Sequence, residues 1–246
     1  MATYVLVPGA WLGSWAWKKI LPELKKRGHE VYPITLTGMG EKVHLARKEY
    51  GIDVAVKDVI NAIEYEDLND IILLGHSFSG KVISAVADRI PERIRMLFYL
   101  DAMVPARRRT PQGGRDDMPE SELKELMEES RKNGDGWKIP MSGDTIKNIA
   151  FDIKGKDMQW FKSKLTPWPL NLALEPINVS ETVDRMRKAY IFCLREGVKF
   201  SPEDKKYIDS LEGEHRIIKS GHYPMITKPL ETVTALLELT GQLTLL

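Results

Sequence analysis

The chain has 246 residues and a mass of 28.0 kDa, with 43% hydrophobic and 29% charged residues and a formal charge of +1 from 36 basic and 35 acidic side chains. This balance excludes a disordered or low-complexity polymer and a nucleic-acid binder that relies on a basic surface, because the triplet Arg107-Arg108-Arg109 is too short to supply one. The lone Cys193 can form neither an internal disulfide nor a thiolate metal site, no stretch nears the roughly 20 apolar residues of a membrane span, and Met1 to Pro8 lacks a basic leader segment, so a soluble cytoplasmic protein without metal or cofactor is expected.

Short β-branched and aromatic runs alternate with longer amphipathic stretches, the pattern of βαβ units and a mostly parallel, doubly wound sheet covered on both faces. In chain order the pattern predicts a strand at Tyr4 to Val7, a helix over Trp15 to Arg27, a strand at Glu30 to Ile34 and a helix over Val54 to Glu64. Ile71 to Gly75 forms the next strand, followed by a helix over Lys81 to Arg89 and a strand at Met96 to Leu100. Strands then disappear until Tyr190 to Leu194, and the intervening amphipathic segments, among them Pro119 to Lys132 and Met158 to Leu165, are too long for an ordinary connection. The chain is therefore expected to divide into an α/β core, residues 1–104 and 188–246, and a helical cap, residues 105–187, laid over the carboxyl edge of the sheet. Ser201-Pro202-Glu203 reads as a capped helix start, Arg216 to Lys219 as the last strand and Leu230 to Leu239 as the last helix. A homodimer stays open.

Gly75-His76-Ser77-Phe78-Ser79-Gly80 lies between a strand and a helix, which is the setting of a nucleophile elbow. Such a turn strains the serine backbone at the top of the sheet and needs small residues two positions away. Gly75 meets that need, and Ser79 stands where a second glycine is expected. A serine hydroxyl requires a base, and of the five histidines only His222, in Gly221-His222 between the last strand and the last helix, sits late in the chain beside another strand end. The carboxylate that orients the imidazole has two candidates. Glu196 follows the penultimate strand and keeps the chain order serine, acid, histidine; Asp101, after the strand next to that of Ser77, is the alternative. Chain order favours Glu196. The oxyanion donors are expected from the backbone amides of Phe78 and Ala10, the latter in Val7-Pro8-Gly9-Ala10-Trp11. Trp11 and Tyr223 are expected to bind substrate, and cap residues Trp137, Trp160 and Trp168 are candidates for further aromatic walls.

At these residues the sequence resembles the α/β-hydrolase superfamily, and within it the esterases related to plant methylesterases, hydroxynitrile lyases and bacterial pyrethroid-type carboxylesterases. The resemblance runs almost end to end and includes Trp15-Ala-Trp17, Leu36-Thr-Gly-Met-Gly40, Tyr99-Leu-Asp-Ala and Cys193-Leu-Arg-Glu196. It implies cofactor-free hydrolysis of a small carboxylic ester through an acyl group on Ser77. Members of this branch carry Asp at the position of Glu196 and His at that of Leu12. The lyases place Thr and Lys at the positions of Gly9 and Tyr223, which disfavours lyase chemistry here. An acyl-homoserine lactonase would use the same Ser77 and His222, and a receptor without turnover would use the same pocket. A phosphate-binding loop is suggested by Gly75 to Lys81, but Val82 offers no oxygen to a metal ion where that motif needs Ser or Thr.

Overall fold

The computed structural model describes residues 1–104 and 115–242, without the side chain of Asp117. The triplet Arg107-Arg108-Arg109 and the opening of the expected cap, residues 105–114, lie outside the described residues. Among the described residues eight strands follow in chain order: β1 (Thr3–Val7), β2 (Glu30–Pro33), β3 (Ile71–His76), β4 (Ile94–Leu100), β5 (Lys138–Ile139), β6 (Trp168–Pro169), β7 (Lys188–Cys193) and β8 (Glu214–Ile218). Six of them form one sheet in the order β2-β1-β3-β4-β7-β8, with every neighbouring pair parallel. All six strands read from the sequence are present. The helices are α1 (Leu21–Lys26), α2 (Ile52–Tyr65), α3 (Ser79–Arg89), α4 (Glu120–Asn133), α5 (Gly143–Ile149), α6 (Gly155–Lys164), α7 (Leu170–Leu174), α8 (Glu181–Arg185), α9 (Pro202–Ser210), α10 (Pro224–Thr227) and α11 (Pro229–Leu239).

The continuous apolar run of β3 is buried at every position, as expected for a central parallel strand covered on both faces. Alternation in β1 sorts its side chains to the two sides. Val5 and Val7 pack with Val56 and Val59 of α2 and Val82 and Ile83 of α3, while Tyr4 and Leu6 pack with Leu24 of α1 and Leu236 of α11. The single helix expected over Trp15 to Arg27 is divided into a 3-10 turn, Ser14–Trp17, and α1. Pro22 explains the break: it lacks an N–H and is tolerated only in a first helical turn, so the α-helix has to begin at Leu21.

Ser201 caps α9 as read from the sequence, in a reciprocal box in which Ser201 Oγ accepts from the Asp204 amide and the Asp204 carboxylate accepts from the Ser201 amide, both at 3.0 Å. Between β4 and β7 the described residues form α4 to α8 and the short antiparallel β5–β6 pair, and none of them joins the main sheet. Because the sheet is parallel, the carboxyl ends of β1, β3, β4 and β8 open on one edge, where α/β sheets bind ligands. Among the described residues no helix is long and apolar enough to cross a membrane.

Candidate active site

Ser77 follows the last residue of β3 with φ +58°, a left-handed conformation that L-residues adopt at a cost. The surroundings enforce it. The Ser77 amide donates to the Leu100 carbonyl at 3.2 Å, and the Ser77 carbonyl accepts from the amides of Gly80 and Met103 at 3.1 and 3.0 Å. A Cβ on Gly75 would stand 2.6 Å from the Ser79 carbonyl oxygen, and one on Gly9 would stand 2.9 Å from Ser77 Cβ, so neither position accepts a side chain. Ser79 replaces the expected glycine without penalty. It is fully buried, and its hydroxyl donates to the Pro8 carbonyl at 2.5 Å, tying the elbow to the loop after β1.

His222 Nε2 lies 2.8 Å from Ser77 Oγ, and His222 Nδ1 lies 2.5 Å from Asp101 Oδ2. A carboxylate only accepts, so Nδ1 carries the proton and Nε2 is left to accept from the serine hydroxyl. The second Asp101 oxygen accepts from the Cys193 amide at 2.9 Å, which fixes the carboxylate from the end of β7. Glu196, favoured by chain order, is not at His222. It is exposed in the turn with Gly197, three residues past the end of β7, and Gly197 at φ +76° bends this turn. The end of β7 instead contributes the Cys193 amide that orients Asp101. Asp101 immediately follows β4 at φ +44°, a conformation Asp tolerates better than most residues. Burial, then Asp101, pushes the Cys193 thiol up, which makes it a poor nucleophile.

The loop bearing His222 is clamped by groups that pattern reading does not single out. The His222 amide donates to the Ile149 carbonyl at 2.9 Å, and the Gly221 amide and Thr227 Oγ1 both donate to Asp152 Oδ2 at 2.8 Å. The Gly221 backbone passes against Ile149 and Asp152, where a side chain would collide. From the core side, His76 Nε2 donates to the His222 carbonyl at 2.7 Å, and the two imidazole centroids are 4.6 Å apart. Burial, then the neighbouring His222, holds His76 well below the ordinary imidazole range, so it stays a neutral support. Asp152 and Ile149 come from the segment between β4 and β7, whose distance in sequence conceals the contact.

A cavity of about 340 Å³ opens beside Ser77 and is lined by Ala10, Trp11, Phe78, Trp168 and Leu172. Ala10 and Phe78 both line this cavity together with Ser77. Trp11 lines this cavity and is fixed by a bond of 2.9 Å from its indole N–H to the Ile139 carbonyl. Trp168, edge-on to Trp11 at 5.7 Å, is the one of the three tryptophans expected as aromatic walls that reaches it. Trp160 packs on Trp15, and Trp137 carries Lys138 over its ring at 4.8 Å. Tyr223, expected to bind substrate, is 1% exposed and faces the core against Phe161 and His76. The reason is local: Pro224 starts α10, and the clamp on His222 turns the next side chain inward. Burial, then Asp101, raises the Tyr223 phenol.

Lys81, which suggested a phosphate loop, points its ammonium to the carbonyls of Glu175 at 2.9 Å and Ala173 at 3.4 Å near the end of α7. Burial lowers it to about 8, against the raising effect of Glu175. Between about pH 8 and the ordinary lysine range the unfolded chain holds a proton that the folded chain has released, so stability rises with pH across that window. The full effect is on the order of 3 kcal/mol. Thermal melts of the wild type and Lys81→Met from pH 7 to 10 should show the wild type gaining stability relative to the variant; parallel curves would contradict this account of Lys81.

A family model described as the alpha/beta hydrolase family matches residues 4–236. The chain belongs to the alpha/beta hydrolase family. Among its relatives, a carbendazim hydrolyzing esterase from Nocardioides sp. (strain SG-4G) is 48% identical over 105 residues, which is 43% of this chain and 43% of that relative's length. Polyneuridine aldehyde esterase of Rauvolfia serpentina is 25% identical over 255 residues, covering 96% of this chain and 94% of the relative. An extracellular α/β-hydrolase from a Paenibacillus species superposes with a TM-score of 0.82 at 24% identity, over 97% of this chain and 99% of that one, which establishes the shared fold.

Proposed function

We propose that this α/β-hydrolase is a serine carboxylesterase acting on small esters with an apolar or aromatic acyl group. The observation that carries the reading is the hydrogen-bonded series Ser77–His222–Asp101, at 2.8 and 2.5 Å, on a serine held at positive φ. Relatives named as esterases support the reaction class.

Ser77 Oγ attacks the ester carbonyl while His222 Nε2 takes its proton, and Asp101 stabilises the imidazolium. The amides of Ala10 and Phe78 receive the oxyanion, whose charge they favour without reorganising. As the tetrahedral carbon collapses, the bond to the alkoxy oxygen breaks and His222 returns the proton to the leaving alcohol. Water, deprotonated by His222, then releases the acid and restores Ser77. Trp11, Trp168 and Leu172 give the acyl group an apolar seat.

An acyl-enzyme has a signature that does not depend on which step is slow. Esters that share an acyl group but differ in alcohol should partition between water and added methanol in one fixed ratio, because they converge on the same intermediate. A ratio that follows the leaving group would contradict the mechanism.

A further inference from the structure

Ser77 stands at the junction of two cavities. Besides the cavity of about 340 Å³ described above, one of about 380 Å³ opens on the side of His222 and Asp101 and is lined by Phe192, Phe200, Tyr207 and Ile208. Among the described residues the two share only Ser77 and Met103. Each is large enough for a ligand-sized group.

The proposed mechanism sorts the two halves of an ester between them, and the assignment rests on that reading. On that mechanism the carbonyl oxygen faces the amides of Ala10 and Phe78, two residues that line the first cavity. The leaving oxygen takes its proton from His222, which lines the second. The alcohol half of the substrate therefore extends toward β7 and α9. We propose that this second cavity is a leaving-group subsite for neutral aryl or arylmethyl alcohols, with Phe200 as its main specificity determinant.

Size, shape and charge all point to that class. A methyl group, little larger than a water molecule with its share of about 30 Å³, would leave most of such a space to solvent. Phe192 and Phe200 meet edge to face with centroids 6.5 Å apart, Ile208 is buried beneath, and Tyr207, 45% exposed, stands at the rim. Flat apolar walls of this kind favour an aromatic ring. The charged groups lining the cavity are carboxylates: Asp101, both of whose oxygens are taken by His222 and the Cys193 amide, and Asp204 in the α9 cap. Together they disfavour an anionic leaving group. Phe200 immediately precedes the Ser201 cap, so the capping box that starts α9 also sets the position of this ring. Met103, with its flexible thioether, lines both cavities and can adjust to either half.

Methyl and benzyl esters of one acid share the acyl half and differ only in what would enter the second cavity. The wild type should show kcat/KM higher for the benzyl ester by about tenfold or more. Phe200→Ala should lower that ratio by about fivefold, and Tyr207→Ser, a surface change that spares the core, should lower it in the same direction. Leu126→Ala, which alters the acyl cavity, should move both esters together and leave the ratio near its wild-type value. Equal kcat/KM for the two esters in the wild type, or a ratio unmoved by both folded α9-side variants, would overturn the subsite while leaving the esterase reading in place. Absence of turnover of either ester by folded wild-type protein would instead remove the esterase reading, and the subsite with it.

Discussion

Replacing Ser77 with Ala is expected to lower kcat for ester hydrolysis by about 10⁴-fold or more, with little change in KM or in thermal stability. The size follows from the role. Without Oγ there is no atom to form the acyl bond, and what remains is the modest acceleration supplied by the amides of Ala10 and Phe78 and by binding. Folding should be spared because Ala keeps the Cβ that packs beside Gly9, and the bonds that hold the turn are made by the backbone of residue 77. The left-handed φ costs Ala about what it costs Ser, so the variant neither gains nor loses much from the strain. Steady-state kinetics with circular dichroism on the same preparation checks both halves of this statement. A folded Ser77→Ala protein with turnover within about tenfold of the wild type would remove the nucleophile from the account.

The second large effect is a ranking. Asp101→Asn should lower kcat by about 10³-fold or more, whereas Glu196→Gln should change it by less than about twofold. An amide at position 101 can present its NH₂ to His222 Nδ1, which favours the tautomer with the proton on Nε2 and removes the lone pair that accepts from Ser77. It also removes the charge that stabilises imidazolium. Glu196, exposed in its turn, has no comparable means of acting on the imidazole. Comparable losses in both variants would contradict this ranking, and the reverse order would place the acid in the loop after β7.

This ranking also marks where the sequence is legible. The six strands, the strained turn at Ser77 and the place of His222 beside it are legible because each rests on a local constraint: an apolar run with turn residues at its ends, small residues around a strained serine, a glycine beside a histidine after the last strand. The acid was harder. Chain order points to Glu196, but the requirement is a position in space. Asp101 meets it because β4 lies between β3 and β7 in the sheet and delivers its next residue between the ends of both. The signal available in the sequence is the Asp that directly follows the strand ending at Leu100.

Tyr223 departs from expectation for a related reason. Adjacency to His222 suggests contact with substrate, yet consecutive side chains in this loop diverge, and the hydrogen bonds from His222 to Ile149 and from His76 to His222 decide which faces the core. Asp152 was invisible because a carboxylate between α5 and α6 has no local pattern; its role arises only when the chain brings it against Gly221, some 69 residues away. The break between the 3-10 turn and α1, in contrast, could have been read from Pro22, whose missing N–H forbids a helix that runs through it.

The claim on which the rest depends is that Ser77 is an activated nucleophile. Intact-protein mass after exposure to a fluorophosphonate, followed by peptide mapping, tests it most directly. One adduct per chain is expected on the peptide containing Ser77, with loss of ester turnover in step with labelling and no adduct on Ser77→Ala. Folded wild-type protein that stays unlabelled, or that is labelled elsewhere while it continues to turn over ester, would contradict it.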